Sequence, residues 1–259
     1  MWGCASLRIA ADGAAGRVYR DVISSIDSVD AATLLRGAHV PSSEAVAALN
    51  GLLPDAVCGD WDSIDSASES FYRAAGCKML AAPEDQDSTD LMKCLREVER
   101  IQVASRARYR VVIYGAFGGR FDHEAQNLNC LFTYAGAFEA LVLLSGDTIA
   151  SLLPRGEWSV RVAAPFEGPT CGLVPLGEAA EITTRGLKWD VTAWRTQFGG
   201  HMSTSNHVEG IPAEGSGTAA AGQQVVHIST TAPIIWTLVV NADRVIAAAQ
   251  ERRARAGSD

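Results

Sequence analysis

Ala56-Val57-Cys58-Gly59-Asp60-Trp61-Asp62-Ser63 is the stretch from which the fold can be read. Three apolar residues run into a glycine, the pattern of a buried strand that ends in a turn. The turn then carries two aspartates one residue apart. At a strand end, where the backbone bends, both carboxylates can reach one divalent cation, and a hard ion such as Mg²⁺ takes oxygen ligands and shares its shell with phosphate oxygens. An acidic surface turn is the plain alternative, and the surrounding sequence distinguishes the two.

The same pattern recurs outward. Arg110-Val111-Val112-Ile113-Tyr114 ends in Gly115, and Ala140-Leu141-Val142-Leu143-Leu144 ends in Ser145-Gly146-Asp147. Between these runs, Leu91, Met92, Cys94, Leu95, Val98 and Ile101 fall mostly on one helical face, which predicts a helix from Asp90 to Val103 with Ser88 or Thr89 as its N-cap. A second helix is predicted from about Asp122 to Tyr134. Strands alternating with helices predict an open parallel α/β sheet over residues 1–153.

Beyond Leu153 glycine and proline become frequent, and short alternating runs take over: Trp158–Val162, Glu181–Thr184, Val225–Ile228 and Ile234–Leu238. This predicts an all-β domain, a sandwich or half-barrel, over 154–242. Gly210–Gln224, rich in Gly, Ala and Ser, reads as a flexible loop or insertion. Asp243–Asp259 reads as a solvated tail with an Arg-rich end.

Composition narrows the function classes. The 259 residues carry a formal net charge of −8 with 47% hydrophobic residues, enough for a sizeable core and poorly suited to nucleic acid or an anionic membrane surface. No segment reads as a bilayer span, and the N-terminus lacks a signal-peptide layout. Six scattered cysteines without a C-x-x-C pair read as buried free thiols in a reducing compartment, and a cytoplasmic protein is expected. The five histidines form no ligand-spaced pair, which argues against zinc.

Four further constellations follow from the same reading. Asp85-Gln86-Asp87-Ser88-Thr89-Asp90 crowds three carboxylates ahead of a helix, where they repel one another unless a cation is near. Gly115–His123 passes from strand to glycine turn to Arg120 and Asp122 at a helix start, a reasonable phosphate cradle without the Walker A pattern. Ala11–Arg17 places Asp12 and Arg17 around small residues after a short apolar run. Ser203-Thr204-Ser205-Asn206 is a polar turn in the β-rich half. The acidic and glycine-rich motifs of the first half follow strands, so they are expected to converge at the C-terminal edge of one parallel sheet.

In this order the motifs resemble the thiamin pyrophosphokinase family of eukaryotic type. The residues that carry the likeness are Ala11–Arg17, Gly59–Ile64, Asp85–Leu95, Gly118–His123, Gly186–Trp189, Ser203–Asn206 and Pro233–Thr237. The resemblance implies transfer of a pyrophosphoryl group from ATP to thiamin, with Mg²⁺, by a homodimer that forms its active sites between subunits. By position it implies Asp60, Asp62 and Asp90 as metal ligands, and Gln86, Thr89, Arg120 and Asp122 around the nucleotide and pyrophosphate, with Asp12 and Arg17 nearby. Ser203 and Asn206 fall at the thiamin side, Trp189 is either a ligand contact there or core packing, and Asp122 or Asp90 is the candidate proton acceptor. Two departures stand out: the chain opens close to the family's first helix, so its first strand is expected to be lost or cut off, and Gly16 replaces the usual Asn. The alternatives are a D-x-D phosphatase of haloacid-dehalogenase type, whose later acidic pair is not found, and a non-catalytic thiamin or nucleotide sensor on the same scaffold.

Overall fold

The computed structural model describes residues 5–20, 53–81, 85, 87–212, 222–245 and 247–248. Gln86 and most of the Gly210–Gln224 and C-terminal tail segments therefore lie outside the described residues. The chain forms two compact units, Met1–Ala107 and Arg108–Asp259.

The apolar run of the opening stretch becomes β2 (Ala56–Gly59), buried along its whole length. It is the centre of a three-stranded parallel sheet, flanked by β1 (Ile9–Ala11) and β3 (Lys78–Ala81). Burial on both faces explains why β2 reads as a continuous apolar run and not as an alternation. Helix α1 (Asp12–Val18) leaves β1 directly, and α2 (Ser66–Ala74) starts at Asp65, whose carboxylate accepts from Ser68 N at 2.9 Å as an N-cap. Val57 packs with Ala15, Tyr19, Phe71 and Tyr72 in the core of this unit, and the Tyr72 hydroxyl donates to Ala15 O at 2.9 Å. Helix α3 (Asp90–Ser105) is capped by Thr89, whose hydroxyl accepts from Met92 N at 3.4 Å.

The second unit begins with β4 (Arg110–Tyr114), α4 (Phe121–Thr133) and β5 (Ala140–Ser145). β4 and β5 run parallel, as expected of an α/β unit, but β5 pairs antiparallel with β6 (Thr148–Leu153) and β6 with β13 (Ile234–Val240). The result is a six-stranded sheet ordered β11-β8-β13-β6-β5-β4, with β8 at Glu167–Val174 and β11 at Ser203–His207. The expected boundary near residue 153 falls at the end of β6, inside this sheet. A four-stranded antiparallel sheet, β10-β9-β12-β7, completes the unit, with β7 at Gly156–Ala164, β9 at Ala180–Arg185, β10 at Trp194–Thr196 and β12 at Gly222–Thr230. Gly222, Gln223 and Gln224, expected in a loop, are the first rungs of β12 against Ala164, Ala163 and Val162. A glycine and two polar side chains hid the strand, since backbone pairing and not side-chain character holds that end.

Both sheets contribute to one core. Val162, Ile182, Val226 and Ile228 from the four-stranded sheet meet Leu173, Ile234, Trp236 and Leu238 from the six-stranded one, which makes the β-rich half a sandwich. Ile235 points the other way, into a cluster with Leu131 of α4 and Leu143 of β5. The run Ile234-Ile235-Trp236 is thus buried on both faces by different partners, in keeping with the period of two along a strand. The five cysteines among the described residues are free and buried, and no described helix is long and apolar enough to cross a membrane.

Candidate active site

Register sets the site in the first unit. Ala11 pairs with Cys58, so the next residues, Asp12 and Gly59, lie side by side at the C-terminal ends of β1 and β2. Asp12 is fully buried, and a Cβ on Gly59 would come within 2.4 Å of its Cγ. Glycine is therefore required at 59 by close approach. The Asp12 carboxylate accepts from Gly13 N at 2.5 Å and from Trp61 N at 2.9 Å. Trp61 adopts φ 71°, a left-handed conformation that costs a non-glycine residue on the order of 1–3 kcal/mol. This is the backbone bend that lets neighbouring acids of a D-x-D turn face one point.

Asp12, Asp60 and Asp62 each place a carboxylate oxygen within 4.8 Å of the others. The donor set is purely carboxylate oxygen, which fits a hard divalent cation such as Mg²⁺ and suits zinc or copper poorly. Burial raises the Asp12 pKa to about 6, helped by the nearby Asp90 charge and a hydrogen bond with Asp90, while the two backbone amides pull it down. Without a cation this group holds its proton to unusually high pH.

Asp90, in the first turn of α3, approaches the cage from another side and is tied to it by Lys93. The Lys93 ammonium donates to Asp60 Oδ2 at 2.6 Å and to Asp90 Oδ1 at 3.2 Å, with its side chain only 2% exposed. Burial works against the charged lysine, but its bonds to both acids outweigh that and hold its pKa above the ordinary value. The same ammonium, as hydrogen-bond donor, keeps Asp60 below the usual carboxylate range. Asp85 is ion-paired to Arg96. Thr89 caps α3, and Arg17 is exposed on α1.

In the second unit, Gly118 N and Gly119 N both donate to Glu124 Oε1 at 2.9 Å, so the turn after β4 presents two amides to one carboxylate. The Arg120 guanidinium pairs with Asp122 and lowers its pKa, which makes Asp122 a weak base. On β11, buried Asn206 uses its whole amide: Oδ1 accepts from Trp189 N at 3.2 Å and His207 N at 2.8 Å, and Nδ2 donates to Trp189 O at 3.0 Å and Ser203 Oγ at 3.4 Å. Ser203, Asn206 and Trp189 are thereby brought together. The preceding turn needs Gly186, which has φ 94° and lies where a Cβ would sit 2.8 Å from Val225 O. Trp189 is 53% exposed, its indole 5.6 Å from the His207 ring and 4.6 Å from Lys188 Nζ.

The family model "Thiamin pyrophosphokinase, catalytic domain" matches residues 1–142, more than half of the chain. The model "Thiamin pyrophosphokinase, vitamin B1 binding domain" matches residues 158–214. The chain belongs to the thiamin pyrophosphokinase family. It is 33% identical to Thiamine pyrophosphokinase 1 of Arabidopsis thaliana over 93% of its own length and 80% of the relative's. It is also 33% identical to Thiamine pyrophosphokinase 1 of rice, Oryza sativa subsp. japonica, over 92% and 80%. The fold matches the crystal structure of yeast thiamin pyrophosphokinase with a TM-score of 0.71 at 22% identity, covering 95% of this chain and 82% of that one.

Two features of this family member escaped the sequence reading. Asp12 was expected near the nucleotide and not among three converging carboxylates. Lys93 stands outside the expected set, although a lysine three residues after Asp90, flanked by Met92 and Cys94 on an otherwise apolar stretch, is a legible signal: spacing i,i+3 puts the two on one helix face.

Proposed function

We propose that this chain transfers the terminal pyrophosphoryl group of ATP to the hydroxyethyl oxygen of thiamin, giving thiamin diphosphate and AMP. Membership of the thiamin pyrophosphokinase family over most of the chain supports the reaction, and the convergence of Asp12, Asp60 and Asp62 carries its assignment to a site. The thiamin hydroxyl oxygen bonds to the β-phosphorus and loses its proton to water or to a site carboxylate such as Asp90, the bond from that phosphorus to the bridging oxygen breaks, and the oxygen leaves with AMP.

Mg²⁺, held by Asp60 and Asp62 with Asp12 and with Asp90 adjoining, would neutralise phosphate charge and orient the phosphates. Asp12, pinned by two backbone amides, holds its carboxylate in one orientation. Arg120 and the amides of Gly118 and Gly119 offer hydrogen-bond donors to phosphate oxygens, in exchange for Asp122 and Glu124. Gln86, Thr89 and Arg17 complete the nucleotide side. Phosphoryl transfer through a loose transition state asks little of a base, so positioning and charge are the main contributions of the protein. Trp189, an exposed ring braced by His207, offers a stacking surface for thiamin, with Ser203 and Asn206 beside it.

By role, residues 1–153 form the catalytic part, 154–242 the thiamin-binding part and 243–259 a tail. A cytoplasmic homodimer with active sites between subunits completes the reading, and sedimentation of the purified protein tests the assembly. The decisive experiment incubates the protein with thiamin, ATP and Mg²⁺ and follows thiamin diphosphate and AMP by mass spectrometry. Equimolar products that require all three components are expected. Binding of thiamin without product, or hydrolysis of simple phosphate esters instead, would overturn the proposal.

A further inference from the structure

Lys93 stands inside the acid cluster without being an acid, an amide or a surface cation. Its ammonium takes Oδ2 of Asp60 at 2.6 Å, whereas Oδ1 of the same carboxylate meets Asp62 N at 3.4 Å, and the Asp62 side chain also bonds to this carboxylate. One oxygen is thus committed to the ammonium, and the other is engaged only from within the D-x-D turn. The second bond, to Asp90 at 3.2 Å, joins the β2 turn to α3. Burying an ammonium among carboxylates is a poor route to stability, because desolvation offsets most of the attraction and an apolar residue of similar volume often does as well. The charge itself therefore needs an explanation.

We propose that Lys93 is a positioning residue for pyrophosphoryl transfer: its ammonium makes Asp60 present a single oxygen to the divalent cation and supplies a fixed positive charge within the cage. The inference rests on the metal-dependent reading above. In the nucleotide-free protein a fixed ammonium beside the cage opposes the charge of an entering cation. Removing it strengthens cation binding while freeing Asp60 to turn or to bind through both oxygens. Affinity and turnover then move in opposite senses, which neither a structural brace nor a substrate contact would produce.

The test titrates Mn²⁺, a hard, oxygen-seeking and paramagnetic probe, into nucleotide-free wild type, K93M and K93R at pH 8. Free Mn²⁺ is read by electron paramagnetic resonance, with steady-state kinetics alongside. For K93M the Mn²⁺ Kd is expected to fall at least about tenfold, and kcat to fall about ten- to a hundredfold, the scale seen when a group that orients a metal ligand is lost. The KM values for ATP and thiamin should stay within about threefold. K93R should keep a near-native Kd and recover part of kcat. If K93M does not fold, K93Q, which keeps donors but no charge, carries the same Mn²⁺ expectation. An unchanged Kd and kcat with a lower Tm would reduce Lys93 to a brace and overturn the proposal. A raised KM for ATP with an unchanged Kd would make it a substrate contact and overturn it equally. Failure of the wild type to bind Mn²⁺ would instead sink the underlying metal reading.

Discussion

Replacing Gly59 by alanine puts one carbon where the Asp12 carboxyl already lies. The added Cβ would sit 2.4 Å from Asp12 Cγ, 2.5 Å from Oδ2 and 2.9 Å from its Cβ, all shorter than real Cβ contacts. Asp12 is fully buried at the start of α1, so it cannot swing freely into solvent. Either β1 and β2 move apart or the carboxylate turns and gives up its bonds to Gly13 N and Trp61 N. A hydrogen bond to a charged group contributes about 1.5–3 kcal/mol, and overpacking costs about 1–3 kcal/mol. Moving a carboxylate whose pKa burial has raised to about 6 relieves part of that cost. A net loss of about 2–4 kcal/mol follows, which lowers Tm by roughly 5–15 °C in a chain of this size. Calorimetry of metal-free Gly59→Ala should show this loss, and Mn²⁺ titration should show at least about tenfold weaker binding. Gly119→Ala is the control: an added carbon there meets nothing within 4 Å, and Tm should change by no more than about 2 °C. A Gly59→Ala protein with Tm within about 2 °C of wild type and unaltered Mn²⁺ affinity would refute the close packing of Asp12 on Gly59.

Asp12 also makes stability depend on pH in the metal-free protein. Its pKa is about 6 folded against 3.8 for a free aspartate carboxyl, so the folded state holds the proton more tightly. Stability is therefore highest at the acidic end and falls by roughly 2–3 kcal/mol as pH rises through that window, then levels off. Denaturant unfolding of wild type minus Asp12→Asn between pH 4 and 8, in chelator, isolates the effect, and parallel curves would contradict it. Asp62→Asn should cut kcat at least about a hundredfold with far-UV circular dichroism unchanged; near-native turnover would remove Asp62 from the site. Ser203→Ala should raise the KM for thiamin several-fold and that for ATP hardly at all, on the scale of one lost hydrogen bond, and an equal rise in both would argue against a thiamin-side role.

Much of this was open to a reader of residues alone because it is local. A strand that is buried on both faces must be apolar throughout, which exposed β2, and the run Ile234–Leu238 exposed β13. Periodicity and an N-cap threonine exposed α3 to within two residues of its observed end at Ser105. The D-x-D turn announced itself because two acids beside a buried strand demand a reason. β6 and β8 were harder: Thr148, Ser151, Pro169 and Gly172 dilute their patterns, and these strands exist because β13 lies between them and pairs with both. Short α2, with its low apolar content, was likewise hidden behind a good cap.

The sequence by itself determined the types of element, the order of the motifs, the family likeness and the acidic character of the site. Chain chemistry along ten or twenty residues is enough for that. Tertiary structure decided which acids meet. Asp12 and Asp60 are far apart along the chain, and only the register of Ala11 against Cys58 sets Asp12 beside Gly59 and the D-x-D turn. Only the packing of α3 against that sheet brings Lys93 between Asp60 and Asp90. It also decided that β4 and β5 continue into the sheet of the sandwich, because strand pairing is settled by long-range edges and shared cores that no local pattern encodes.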